Sequence, residues 1–259
     1  MDAYTPKQIA ELVNNVGIKK ANLPFLPTIT LSILAGAFIS FGGMFYTMVI
    51  TDSTLGLGPT RLLGGLVFSL GLILVIVAGA ELFTGNNLIV VAWSEKKITT
   101  AQLLRNWGIV YIGNFIGALA CAWFVHYSGT LDIANGAVAK TALNIAQGKV
   151  ALSSSQAFIR GILCNTLVCL AVWLCFAAHT VSGKILAILF PISAFVALGF
   201  EHSVANMYLI PIGMLQEGST ITIADFVHNL IPVTFGNILG GSTFVALVYW
   251  ICYLRGSCR

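Results

Sequence analysis

Charge is what this sequence has least of. Asp, Glu, Lys and Arg make up 8% of its 259 residues, where a soluble domain carries about 25%. With 58% hydrophobic residues and a mean hydropathy of +0.92, an ordinary soluble globule is excluded. The six cysteines, Cys121, Cys164, Cys169, Cys175, Cys252 and Cys258, include no CxxC and mostly sit in apolar runs. Their spacing fits neither a zinc site nor a secreted disulfide framework, and they read as small buried hydrophobes. No basic stretch followed by a short apolar core opens the chain, so no cleavable leader is expected. The net charge of +4 calls for no nucleic-acid partner, because orientation in a bilayer accounts for it. No cluster of metal ligands and no cofactor motif is found, so neither a metal nor a cofactor is expected.

Long apolar runs are present instead. Residues 1–22 include "TPKQIAELVNNVGIKKAN", which reads as a short amphipathic helix. Thr5 is suited to cap it, Pro6 fits its first position, and Ile9, Leu12, Val13 and Val16 make one apolar stripe. Too short and polar to span, it belongs at the membrane surface or against the body of the protein. Six long segments follow, at about 27–50, 61–93, 101–127, 154–179, 184–211 and 226–254. Each is long enough to cross a bilayer, which takes about 20 residues, and the second is too long for one simple span. Residues 23–259 therefore read as one six-helix membrane domain. With the N-terminus inside, nine Lys and Arg, including Lys20, Lys184 and Arg259, fall on the inner side. Four fall outside: Arg61, Lys140, Lys149 and Arg160. This bias puts both termini in the cytoplasm. The link near 128–153 then lies outside and has helical composition.

The two halves, about 23–127 and 153–254, echo each other. "AELFTGN" (80–86) aligns with "FEHSVAN" (200–206), and "RNWGIVYIGNFIG" (105–117) with "HNLIPVTFGNILG" (228–240). Glu81 matches Glu201 and Asn86 matches Asn206, while Asn106, Gly113, Asn114 and Gly117 also recur. Three spans per half is an odd number, so the second half must enter from the opposite side, as an inverted-topology repeat. The second and fifth segments are each interrupted by Gly and polar residues. Paired broken helices place a substrate path at the pseudo-twofold axis. Half-helices restarting near Thr84 and Ser203 would aim positive dipole ends at the midplane, which favours an anion.

His202 is the sharpest candidate for chemistry. Imidazole changes charge near physiological pH, and this one lies at a break in "LGFEHSVANMY" beside an acid. Thr84 lies on the matching break, where its hydroxyl is expected to line the path or cap the half-helix. Glu81 and Glu201 read as braces that accept from backbone amides or Asn side chains, since a carboxylate repels an anion. Periodicity alone makes Phe68, Leu72, Leu82 and Phe195 core residues, and Lys149 a solvated surface lysine.

The motifs "GGLVFSLGLILVIVAGAELFTGN", "RNWGIVYIGNFIG", "FEHSVANM" and "NLIPVTFGNILGG" resemble the formate/nitrite transporter family, in family order and from about residue 5 to the end of the sixth segment. The resemblance implies an all-α membrane protein of six transmembrane helices in an aquaporin-like arrangement. It also implies a homopentamer in a prokaryotic cytoplasmic membrane, with one pore per protomer. It assigns the central histidine to His202, the facing threonine to Thr84 and the vestibule lysine to Lys149. The constriction residues become Phe68, Leu72, Leu82 and Phe195, with Glu201, Asn165 and Asn237 as supporting polar residues. Family members carry formate, nitrite, hydrosulfide or lactate. Phe68, Phe195 and the "AELFT" break fit the formate members, although Ala80 stands where Gly is expected.

These residues permit a mechanism with the lipid bilayer as solvent and a small anion and protons as ligands. A bare carboxylate cannot cross a dry apolar constriction cheaply, whereas its protonated form can. Lys149 and the half-helix dipoles would draw the anion in. His202 would donate or relay a proton, and Thr84 would supply a hydrogen bond. Nitrite and hydrosulfide are the main competitors to formate as substrate, and a rival from another class is an intramembrane enzyme built on Glu201 and His202. It fares poorly, because adjacent helical residues point about 100° apart and no nucleophile motif accompanies them. An aquaporin-type channel for neutral solutes lacks its "NPA" pair.

Overall fold

A computed structural model describes residues 3–256 of the chain; Cys258 and Arg259 lie outside the described residues. Among the described residues the regular structure is helical apart from one isolated β-bridge, Ala3 to Ala178. The elements are α1 (Pro6–Ala21), α2 (Phe25–Ile50), α3 (Leu57–Gly79), a 3-10 turn (Gly85–Ile89), α4 (Val90–Ser94), α5 (Thr100–Tyr127), α6 (Ala137–Val150), α7 (Ser154–Ala177), α8 (Val181–Ala197), α9 (Ser203–Met214) and α10 (Ile223–Tyr253). Five of these, α2, α3, α5, α7 and α10, are long and apolar enough to cross a membrane. The fifth segment, 184–211, read as interrupted by Gly and polar residues, is two short apolar helices, α8 and α9. Gly199, at a positive φ of 71°, turns the chain between them. The second segment starts earlier than 61, at Leu57, and Gly79 ends α3 at a φ of 88°. Only glycine takes such a φ without steric cost.

Polarity is distributed as a bilayer demands. Large side chains such as Leu26, Phe124 and Phe190 face outward, while Asn86, Asn114, Asn165, Asn206 and Asn237 are buried. Within α2 the hydroxyls of Ser32, Ser40 and Thr47 donate to the carbonyl four residues back, so they need no partner in the surroundings.

Two helix pairs carry the fold, α2 against α5 and α7 against α10, and both touch through glycine. A Cβ on Gly117 would overlap the Ile33 carbonyl, and one on Gly240 would overlap the Ile162 carbonyl. Small residues let backbones approach when lipid offers no hydrophobic drive for association. Gly117→Ala and Gly240→Ala are each expected to cost about 1–3 kcal/mol through forced separation of the pair. The check is the melting temperature of the purified protein in detergent, with Gly108→Ala, where a Cβ meets open space, as the control.

The amphipathic N-terminal helix packs on the body. Its capping box is formed by Thr5 and Gln8, with Pro6 in its first turn. Gly17 faces Ile89 and Ala92 closely enough that an added Cβ would touch both. The Tyr4 amide donates to the Ala177 carbonyl, and the Tyr4 ring lies 4.3 Å from the His179 ring. The 128–153 link contains α6, which packs against α9.

Candidate functional site

The site is built around the two places where helical structure stops, and one asparagine organises each. After Gly79, the Ala80 amide still reaches the Val75 carbonyl at 3.0 Å and the Glu81 amide reaches the Leu31 carbonyl at 3.2 Å. After Gly199, the Phe200 amide reaches the Phe195 carbonyl at 3.0 Å and the Glu201 amide reaches the Arg160 carbonyl at 3.3 Å. The Asn114 Oδ1 then accepts from the Phe83 amide at 2.9 Å, while its Nδ2 donates to the Ser32 and Glu81 carbonyls. Asn237 does the same for the Ser203 amide at 2.8 Å and the Gly161 and Glu201 carbonyls. Backbone groups freed from helix in an apolar setting must find such partners.

The acids come next. Glu81 Oε1 accepts from Lys20 Nζ at 2.9 Å, and its Oε2 accepts from Asn86 Nδ2 at 2.7 Å. Glu201 Oε1 accepts from Lys149 Nζ at 3.0 Å, and its Oε2 from Asn206 Nδ2 at 2.6 Å. Asn106 and Asn229 finish each set by accepting from Asn86 and Asn206 and donating to the backbone carbonyls of Lys20 and Lys149. Both acids thus accept from lysine and asparagine side chains, where the sequence pointed to backbone amides or asparagines. Lys149 is not a solvated surface lysine: its side chain is 14% exposed. The two sets differ in one atom. Asn86 Oδ1 also accepts from Lys20 Nζ at 2.9 Å, whereas the buried Asn206 Oδ1 has no partner.

Between the two sets His202 Nε2 lies 2.9 Å from Thr84 Oγ1, so the structure joins the two breaks through these side chains. The His202 Nδ1 accepts from the Ala205 amide at 3.0 Å. An acceptor Nδ1 leaves the proton of neutral imidazole on Nε2, which donates to Thr84 Oγ1 and leaves the threonine proton free to be donated onward. Thr84 does not cap a helix; its hydroxyl makes no capping bond, and the chain restarts there as a 3-10 turn followed by the five-residue α4. At the other break the N-terminus of α9 is already capped by His202. One amide at the start of α9 is thus satisfied by a side chain, and none is by Thr84 at the other break.

Apolar side chains close the centre. Phe68, Leu72, Leu82, Phe195 and His202 are all at least 95% buried and line a cavity of about 10 Å³, about the minimum for a single water. The Phe68 and Phe195 rings meet edge to face at 5.7 Å, and Phe195 stacks on His202 at 5.9 Å. On one side lies a cavity of about 70 Å³ lined by Tyr46, Lys149, Glu201 and His202. On the other lie cavities of about 80 and 350 Å³, both lined by Lys20 and Ala80. Asn165 supports the centre from α7, its Nδ2 lying within 3.2 Å of the Thr84, Asn87 and Asn237 oxygens.

Sequence reasoning missed Lys20 as a site residue, because α1 stands outside the repeat. It also left Asn106 and Asn114 as mere matches, although their recurrence was the signal that pointed to them. Glu201 and His202 make no hydrogen bond to each other, each being committed elsewhere, which removes the basis for an enzymatic dyad.

The formate/nitrite transporter family model matches residues 7–251. The formate channel FocA of Escherichia coli K12 is 41% identical over 98% of this chain and 96% of its own. The uncharacterized transporter YrhG of Bacillus subtilis is 45% identical over 96% of this chain and 93% of its own. A solved structure described as a pentameric formate channel with formate bound superposes with a TM-score of 0.83 at 38% identity, covering 89% of this chain and 98% of that one. The all-helical fold, the several apolar helices and these relatives, which are channels and transporters rather than enzymes, make this a multi-pass membrane protein that belongs to the formate/nitrite transporter family.

Proposed function

We propose that this protein is a formate channel of the prokaryotic cytoplasmic membrane, working as a homopentamer with both termini cytoplasmic. Residues 23–259 form one channel unit of six spans. Its halves, about 23–127 and 153–254, are inverted in an aquaporin-like arrangement, and the helical segment of 1–22 closes over its inner end. The observation that carries this reading is the pair of equivalent hydrogen-bonded sets, each with a Lys–Glu pair, flanking one apolar centre with a Thr84–His202 contact inside it.

Formate reaches Lys149 from outside or Lys20 from inside as an anion. It takes up a proton in the vestibule and crosses between Phe68, Leu72, Leu82 and Phe195 as the neutral acid. Thr84 donates to it at the narrowest point, held in place by His202. The His202 geometry favours a neutral hydrogen-bond donor over a proton donor or relay: forming imidazolium would put a proton on Nδ1 and break the bond from the Ala205 amide. The proton then comes from the bath through vestibule water, and the acid returns it to water on the far side. Glu81, Glu201, Asn165 and Asn237 hold this frame.

The test is uptake into proteoliposomes of formate, nitrite, hydrosulfide and lactate side by side at two pH values. Formate uptake that exceeds the others and rises on acidification supports the proposal. Nitrite or hydrosulfide uptake exceeding formate would reassign the substrate within the family.

A further inference from the structure

Neither vestibule lysine is a free charge. Lys149 and Glu201 stand 3.0 Å apart, as Lys20 and Glu81 do at 2.9 Å, so each pair is close to neutral when seen from the bath. Long-range attraction of an anion must come from other cations.

At the Lys149 mouth two such cations converge on one loop. Arg61, on α3, donates from Nη1 to the Ala197 carbonyl at 3.0 Å, and Arg160, on α7, donates from Nη1 to the Gly199 carbonyl at 3.3 Å. The same two nitrogens lie 3.5 and 3.9 Å from where a Gly199 Cβ would stand. Gly199 itself lines the vestibule with Lys149, Glu201 and His202. Among the described residues neither arginine pairs with a carboxylate. Each guanidinium has five N–H donors in a planar fork, and each spends one on a loop carbonyl, leaving donors for a ligand.

The Lys20 mouth is built differently. The carbonyl that accepts from the Glu81 amide belongs to Leu31, where the outer set has Arg160. The cation there outside the Lys–Glu pair is Lys184, which lines the inner cavity. Two like charges brought together without a counterion make a site that prefers an anion, and arginine suits a carboxylate because its fork can bind both oxygens.

From this we infer that Arg61 and Arg160 form an anion-recruiting site on the Gly199 loop, which captures small carboxylates from the bath ahead of the Lys149–Glu201 pair. The inference rests on the channel reading above. A site of this kind acts on entry, not on passage through the apolar centre. It also acts only through the bath that it faces. Raising ionic strength from about 10 to about 150 mM shortens the screening length from about 30 to about 8 Å, and should weaken capture from that side alone.

The experiment uses full-length protein in orientation-sorted liposomes of zwitterionic lipid, with formate well below saturation and inert salt varied on one side at a time. For wild type, permeability should fall by about tenfold as salt rises on the Lys149 side, and by less than about twofold as it rises on the Lys20 side. R61Q/R160Q should start about tenfold lower and lose the salt response, while keeping the wild-type flux at high salt. R61K/R160K keeps both charges and should keep most of the salt response. A glutamine pair that follows the wild-type salt curve overturns the inference, and so does an assembled lysine pair that behaves like the glutamine pair. A difference that appears only with anionic lipid would assign the arginines to headgroups and likewise overturn it. Wild-type flux without arginine dependence sinks this inference alone, whereas wild-type vesicles that pass no formate sink the channel reading and this inference together.

Discussion

His202→Asn is expected to lower formate flux at pH 5 by roughly 5- to 150-fold. Asparagine is among the best N-cap residues. It should therefore replace the His202 Nδ1 as acceptor for the Ala205 amide and keep α9 in place. What it cannot do is reach Thr84 as well, because imidazole spans the site from Nδ1 to Nε2 and an amide is shorter. The Thr84 hydroxyl then loses the donor that orients it. Leaving one buried hydrogen bond unmade costs about 1–3 kcal/mol, which corresponds to roughly 5- to 150-fold in rate. Each unit of acidification raises the acid fraction of a carboxylate about tenfold in the range above its pKa. Wild-type uptake should follow that rise, and the variant should follow it from a lower level. Flux against pH, recorded on assembled protein, decides the matter. Superimposable curves for variant and wild type would reduce His202 to a helix cap.

Lys149→Met should cost the folded protein more than Lys20→Met does. Removing Lys149 leaves the Glu201 carboxylate, 4% exposed, with no cation. Breaking a buried pair from one side costs about 3–5 kcal/mol. The Lys20 side chain is 27% exposed against 14% for Lys149, so water screens that pair more. The loss at Glu201 should be repaired by Lys149→Met/Glu201→Gln, which removes both charges and keeps the Asn206 contact. Flux should stay low in the double variant, since its vestibule has no ammonium. Thermal melts in detergent of wild type, the two single variants and the double variant provide the test. A single Lys149→Met variant as stable as wild type would show that the pair braces nothing.

How far the sequence could be read depended on whether a residue took part in the repeat. Glu81 and Glu201, Asn86 and Asn206, and Asn114 and Asn237 stand at matching places in matching strings, and the structure gives them matching bonds. Apolar run length located the helices, because a bilayer fixes the length of its spans. Run length alone makes 184–211 one stretch, and it was the Gly and polar residues inside it that marked the interruption between its two short helices, where Gly199 turns the backbone. The Thr84–His202 contact joins residues 118 apart and was legible only as two residues at paired breaks. Lys20 was not legible. It looked like one more basic residue at the end of an amphipathic helix, and its partner is 61 residues further on.

That separation has a meaning for how the protein is made. Lys20 leaves the ribosome well before Glu81 and Asn86 exist, so at first it is a hydrated cation on a short helix. In the proposed orientation it then belongs to the group of basic residues that holds the N-terminus on the inner side as the first span inserts. Once α3 and the break after it have entered the bilayer, the same ammonium meets the acid and is partly shielded from water. One charge thus serves in two successive roles, first as an address and then as a brace. The inner mouth can be finished only after the membrane has received the chain that α1 will close against.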